Sequence, residues 1–273
     1  MSDKPYISTS QITTFDGCGE QYRRKYIERE FLPSGVAGLR GSAVHGASEV
    51  NLRQKIASGV DLPLSDLVDA AATAFERRKD EGYMLTPEEK AIGASIVLGQ
   101  AKDRAVKLTG LYADRVAPHI QPKKVETRQR IALPGEYDLL GILDVTTTDD
   151  RIKDLKTGKA LAQETVDQSL QFSMYALTFR AVEGVDPTGI DVENLVDTRV
   201  PKHVRLTTTR GRRDYEVLVN RLNALLAARE AGVFAPAAIG EWRCSARWCS
   251  FFTTCRFANS ERRAAADQVD VEQ

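Results

Sequence analysis

An α/β fold is predicted for this 273-residue chain, with helices first and a β-β-β-α-β-α order after them. Two observations carry that prediction. Up to about residue 117 the apolar residues recur at helical spacing, whereas beyond Pro118 the chain becomes richer in β-branched and alternating residues. The triplet Thr148-Asp149-Asp150 then reads as a turn that folds two of the strands into a hairpin.

Ser8 to Glu30 opens on Ser/Thr cap candidates and continues through Ile12, Phe15, Tyr22, Tyr26 and Ile27, a helical spacing despite Gly17 and Gly19. After a loop from Pro33 to Gly38, Gly41 to about Ala57 reads as a second helix. A third is expected over Ser65 to Lys79. A fourth starts at Thr86-Pro87-Glu88-Glu89, a capping box with proline at its first turn, and is expected to end before Gly110. Strands are expected over Lys124–Ala132, Tyr137–Thr147 and Arg151–Lys156, closed by Gly158. Glu164 to Glu183 has helical periodicity, Asn194 to Thr207 strand character, and Arg213 to Glu230 is helical again. The polar segment 260–273 has no periodicity and is expected to be disordered.

Charge excludes some function classes at once. The 38 Lys and Arg balance 38 Asp and Glu, so the chain is not a polybasic coat that binds nucleic acid by bulk charge. With 42% hydrophobic residues it has enough apolar side chain for a proper core. No apolar run approaches the ~20 residues that span a bilayer, and Met1 to Tyr6 lacks a signal-peptide core, so a soluble cytoplasmic protein without membrane contact is expected.

The strongest chemical signal is Asp144 at the end of Gly141-Ile-Leu-Asp144, followed by Asp154-Leu155-Lys156. Period-two geometry puts Asp154 and Lys156 on one face of a strand, and a hairpin partner would bring Asp144 beside them. Two carboxylates next to one ammonium suit a magnesium-dependent phosphodiesterase, because a hard cation takes oxygen ligands and activates water. An isolated D-x-K is more often an exposed charge pair. Two further features bear on it: the polar stripe Gln168, Gln171 and Tyr175 on the helix that follows, and His45 between Gly41 and Gly46. Alone, the stripe is more often a solvated face and the histidine a capping residue.

Together, Gly41-Ser-Ala-Val-His45, Gly141-Ile-Leu-Asp144, Asp154-Leu-Lys156 and Gln171-Phe-Ser-Met-Tyr175 resemble the ordered G-x-x-x-H, G-x-x-D, D/E-x-K and Q-x-x-x-Y motifs of the RecB-like PD-(D/E)xK nucleases. The resemblance covers about Ile7 to Arg256. It implies a restriction-endonuclease-like core with a mixed central sheet, within a single domain over 1–259: a largely helical insertion at 41–117 and a catalytic core at 118–231. It further implies Mg²⁺ or Mn²⁺ held by His45, Asp144, Asp154 and the Leu155 carbonyl. Asp144, Asp154 and Lys156 would be catalytic, with Gln171 and Tyr175 placing the attacking water or the DNA backbone.

Of four cysteines, Cys18 stands alone while Cys244, Cys249 and Cys255 crowd together in a C-x₄-C-x₅-C run. Thiolates suit zinc or an iron-sulfur cluster equally well, and four reduced cysteines also serve as small core residues. Structural zinc usually takes close pairs from one module, so a cluster that ties the two ends of the chain together is the more economical reading. Three clustered cysteines plus a distant fourth resemble the [4Fe-4S] subclass seen in AddB-type and CRISPR-associated adaptation nucleases. There the first two clustered cysteines are commonly separated by two intervening residues, against four here. The resemblance implies an iron-sulfur closure of residue 18 with 244–255, structural rather than catalytic.

Basic segments at Arg199–Arg213, Arg23–Lys25 and around Lys123–Arg130 are where DNA would be held beside an acidic site. Tyr22, Tyr26, Phe31 and Trp248 are candidates for base stacking, although core packing is the commoner job for most of them. No G-x₄-G-K-[ST] motif is present, so ATP hydrolysis by that device is not expected. By resemblance the chain is expected to be a deoxyribonuclease, acting as an exonuclease on single strands or DNA ends, with a recombination or repair protein as a possible partner. The rival readings are a non-catalytic DNA-binding or assembly subunit, a zinc-stabilised binding protein of another fold, and an electron carrier.

Overall fold

In a computed structural model, which describes residues 4–30 and 32–258, a mixed six-stranded sheet lies between two helical layers. The strands are β1 (Tyr6–Ser8), β2 (Pro122–Ile131), β3 (Asp138–Thr147), β4 (Ile152–Gly158), β5 (Ile190–Val196) and β6 (Lys202–Thr208). The helices are α1 (Thr9–Gly17), α2 (Gly19–Tyr22), α3 (Val36–Ser58), α4 (Leu64–Asp80), α5 (Pro87–Ile92), α6 (Ala94–Arg115), α7 (Gln163–Asp167), α8 (Leu170–Glu183) and α9 (Arg212–Ala231). Phe31 and the segment 260–273 lie outside the described residues. No helix among the described residues is long and apolar enough to cross a membrane.

β3 organises the sheet. One edge pairs antiparallel with β2 along nearly its whole length. The other edge is shared: β1 runs parallel to residues 138–140, and β4 pairs antiparallel only through Val145–Lys153 and Thr146–Ile152. Between them, residues 141–144 have no strand partner on that side. β4 continues parallel to β5, which β6 closes antiparallel. One face packs Val125, Val145, Leu155 and Leu195 against α3 and α6. The other packs Leu143, Ile152, Ile190 and Val192 against α8, and α1, α8 and α9 close a third apolar group around Ile7 and Leu139.

Several expected elements are divided. The first expected helix is α1 and α2 separated by an extended Cys18, and a π-helical turn, Arg23–Ile27, follows them. The break brings the chain against the far end of the sequence: a Cβ on Gly19 would lie 2.7 Å from the Ala235 carbonyl. The second helix begins at Val36 rather than Gly41, so Gly41 and Gly46 are interior. They are contact points, since a Cβ at Gly46 would sit 2.7 Å from that of Ala74 on α4. The capping box at Thr86 and Glu89 forms, but Gly93 at φ +98° ends α5, and α6 continues through Gly110 to Arg115. The expected Glu164–Glu183 helix breaks at Gln168, and the expected Asn194–Thr207 strand is two strands joined over 197–201, a segment containing Pro201. The order after α6 is therefore β-β-β-α-α-β-β-α.

Candidate active site

The incomplete pairing of β3 with β4 makes the site. One residue past the last paired position, the strands separate, and the Asp144 carboxylate takes over from the ladder by accepting the Leu155 N–H at 3.0 Å. Asp154 follows on β4, its side chain fully buried, and Lys156 two residues on leans back to it, with Nζ 2.9 Å from Oδ2 and 3.1 Å from Oδ1. Only the Oδ1 contact has hydrogen-bond geometry, so Asp154 Oδ2 is a buried oxygen without a hydrogen bond. From the helical layer, α3 delivers His45 with Nδ1 3.5 Å from Asp144 Oδ2. From the opposite layer, α8 presents Gln171 and Tyr175, joined by a 2.6 Å bond from Gln171 Nε2 to the Tyr175 hydroxyl.

The residues expected to bind metal or act on DNA, His45, Asp144, Asp154, Leu155, Lys156, Gln171 and Tyr175, thus come together from α3, β3, β4 and α8. Gln168 is excluded: it precedes α8, is exposed, and bonds Glu164 instead. One acid was not anticipated. Glu126 on β2 lies in the register gap between Val125–Val145 and Thr127–Leu143, across from Asp144, and has left-handed backbone at φ +49°. His45, Glu126 and Asp144 each offer a ligand atom within 4.8 Å of the others. A narrow cavity of about 10 Å³, the room of about one water or ion, runs past His45, Glu126, Asp144 and Asp154. The β2–β3 register was the signal that would have found Glu126; spacing along the chain contains no trace of it.

The electrostatics are those of crowded acids. Burial, reinforced by Asp144, pushes Asp154 up to about 6 against the pull of Lys156. Burial also raises Asp144, and burial with Asp144 and Glu49 nearby raises Glu126 to about 7. The Lys156 ammonium is disfavoured by burial but held above its ordinary range by Asp154 and Asp144. Burial lowers the His45 imidazole from its ordinary value, against the pull of Asp154, and so favours the neutral form that coordinates metal. The Tyr175 hydroxyl is held firmly protonated, first by burial and then by the two aspartates. Imidazole and hard oxygens around an underneutralised, buried cavity form a donor set suited to a hard divalent cation.

Cys18 and the group Cys244, Cys249 and Cys255, remote from it along the chain, line one cavity of about 600 Å³ with Trp248, Phe251 and Phe252. Cys18 Sγ accepts the Gln21 N–H, and burial, with the other three thiols nearby, raises the Cys249 thiol. No three of these sulfurs lie within 4.8 Å of one another. Side chains join the two ends: Arg24 stacks 4.4 Å from the Phe251 ring and bonds its carbonyl, and Arg256 pairs with Glu20 at 3.2 Å.

Much of the expected basic surface is used internally. His203 and Arg205 pair with the buried Glu193, and Arg210 bonds the Val166 and Ser169 carbonyls. Arg23 and Arg24 pair with glutamates, as do Lys123 and Lys124 with Glu183. Arg199, Lys202, Arg212 and Arg213 remain exposed. Of the expected stacking residues, Tyr22 is fully buried and bonded by Arg229, whereas Trp248 is exposed.

The sequence profile of the PD-(D/E)XK nuclease superfamily matches residues 6–256. No curated protein matches the chain. Among solved structures, a candidate exonuclease from Eubacterium rectale superposes with a TM-score of 0.60 at 12% identity, over 94% of this chain and 91% of that one. The protein SSO0001 gives 0.32 at 13% identity, over 78% and 97%. The first likeness is one of fold.

Proposed function

The chain belongs to the PD-(D/E)XK nuclease superfamily, and we propose that it is a RecB-like deoxyribonuclease that works as an exonuclease on DNA ends, in recombination or repair. The observation that supports this best is the meeting of His45, Asp144, Asp154 and Lys156, drawn from α3, β3 and β4, around carboxylates that burial has left short of positive charge. His45, Asp144, Asp154 and the Leu155 carbonyl would hold Mg²⁺ or Mn²⁺, with Glu126 as a further oxygen donor. A divalent cation bound there supplies an activated water and offsets charge growing on the phosphate.

The protein's own groups do the rest. Lys156, a charged ammonium anchored by Asp154, donates to the phosphate or to the attacking water. Tyr175 accepts from Gln171, so its own proton is free to be directed at a phosphate oxygen. His45 binds as a neutral ligand and is spared for coordination. The exonuclease assignment draws on the family resemblance and on the name of the Eubacterium rectale neighbour.

The four cysteines would hold a [4Fe-4S] cluster that ties residue 18 to 244–255. Tetrahedral zinc needs sulfurs about 3.8 Å apart, given Zn–S bonds near 2.3 Å, and the sulfurs here are spread more widely around a large cavity. The deciding experiment is anaerobic purification with visible spectroscopy, followed by cleavage assays on linear and circular, single- and double-stranded DNA with Mg²⁺ or Mn²⁺. A brown protein that degrades linear DNA, with Lys156→Ala slowed about 100-fold or more, is expected. A colourless, soluble Cys249→Ala chain with full activity would remove the cluster. Absent cleavage on every substrate, or undiminished cleavage by Lys156→Ala, would remove the enzyme.

A further inference from the structure

Both tryptophans of the chain lie in the cysteine-bearing segment, and both are exposed: Trp242 at 63% and Trp248 at 54%. Their rings meet edge to face at 5.3 Å. Each indole carries an arginine, Arg243 at 5.8 Å from Trp242 and Arg247 at 5.3 Å from Trp248, and Arg256 stands 4.7 Å from the exposed Phe257. Residues 242–258 contain these three arginines and no acid. The nearest acids come from outside the segment, Glu241 on Arg243, Glu88 on Arg247 and Glu20 on Arg256.

Two large indoles held side by side in water are an unusual use of tryptophan, which is normally well buried. Local positive charge selects a polyanion as the occupant, and flat rings select something with exposed flat faces. In a DNA duplex the base faces are hidden in the stack; in a single strand each base offers one, and stacking on aromatic rings with arginines on the phosphates is the usual mode of capture. We propose that Trp242 and Trp248, with Arg243 and Arg247, form a docking surface for single-stranded DNA, on which unpaired bases stack while the arginines exchange their glutamate partners for phosphates. The identity of the polyanion as DNA rests on the nuclease reading above.

The chain contains no tryptophan elsewhere, so its indole emission reports on this surface alone. The test uses the full chain in EDTA, with a fluorescein-labelled oligo-dT and the same strand annealed to oligo-dA. The anisotropy of the label gives affinity and the indole emission gives location. Wild type is expected to bind the single strand more tightly than the duplex, with indole emission quenched as the label saturates. Trp242→Ala/Trp248→Ala is expected to bind oligo-dT about tenfold or more weakly, and Trp242→Phe/Trp248→Phe, which keeps flat rings, to recover most of that loss. Indole emission unmoved at saturation, unchanged affinity in the double alanine variant, or equal preference for the duplex would overturn the proposal. Metal-dependent cleavage is scored separately. A chain that cuts DNA without quenching loses only this surface, and one that is quenched yet never cuts loses only the enzyme reading.

Discussion

Asp154→Asn should make the metal-free protein more stable while removing its activity. The side chain is fully buried, and its pKa rises from an ordinary 3.8 to about 6, first because burial disfavours the charge and then because Asp144 adds to it. At 1.36 kcal/mol per pH unit that rise corresponds to about 3 kcal/mol. Because the folded chain holds this proton more tightly than the unfolded chain, stability falls as pH climbs from about 4 to 6, and the full penalty stands above pH 6. The attraction of Lys156 is already contained in that net rise. Asparagine, similar in shape and uncharged, relieves the penalty, so in EDTA at pH 8 the variant should gain up to about 3 kcal/mol, the gain shrinking at pH 5 and vanishing below about 4. Urea unfolding at these pH values measures it. Added Mg²⁺ should stabilise wild type more than the variant, which lacks one of the oxygen donors. A variant less stable than wild type at pH 8, or a gain independent of pH, would refute the reasoning.

Glu126→Gln should weaken Mn²⁺ binding, followed by calorimetry, about tenfold or more, because it removes an oxygen from the His45, Glu126, Asp144 group; unchanged affinity would place Glu126 outside the coordination sphere. Gly141→Ala puts a Cβ 2.5 Å from Thr178 Oγ1, so it should cost about 1–3 kcal/mol in thermal or urea unfolding, and Thr178→Ala in the same chain should restore part of the loss. Arg229→Met should cost about 1–3 kcal/mol, because Arg229 donates to both the buried Tyr22 hydroxyl and that of Tyr137, joining α9 to the N-terminal helices and the sheet. Substitution of Tyr137 by Phe should cost less, since Tyr22 keeps its partner.

Reading along the chain recovers whatever depends on local periodicity and on order. His45, Asp144, Asp154, Lys156, Gln171 and Tyr175 were legible because each belongs to a short spaced pattern, and the patterns follow one another in a fixed order. Strand alternation alone placed Asp154 and Lys156 on one face, as the 2.9 Å contact between them requires. Element boundaries were less legible where one residue decides: Gly93 breaks a continuous helical pattern because of its left-handed backbone, and the 197–201 turn divides an unbroken strand-like run.

What the sequence determined by itself was an α/β chain, its β-hairpin and a set of carboxylates, lysine and histidine in serviceable order, because these follow from side-chain chemistry and the two periods of the backbone. Tertiary structure decided the rest. Glu126 enters the site through a register between β2 and β3 and a left-handed residue, neither encoded by spacing. Part of the basic sequence is paired with acids from other strands and helices, as Arg205 with Glu193 and Lys124 with Glu183, and four cysteines up to 237 residues apart share one cavity. Each of these depends on contacts between segments remote along the chain, where charge and burial are set by neighbours that no local pattern names.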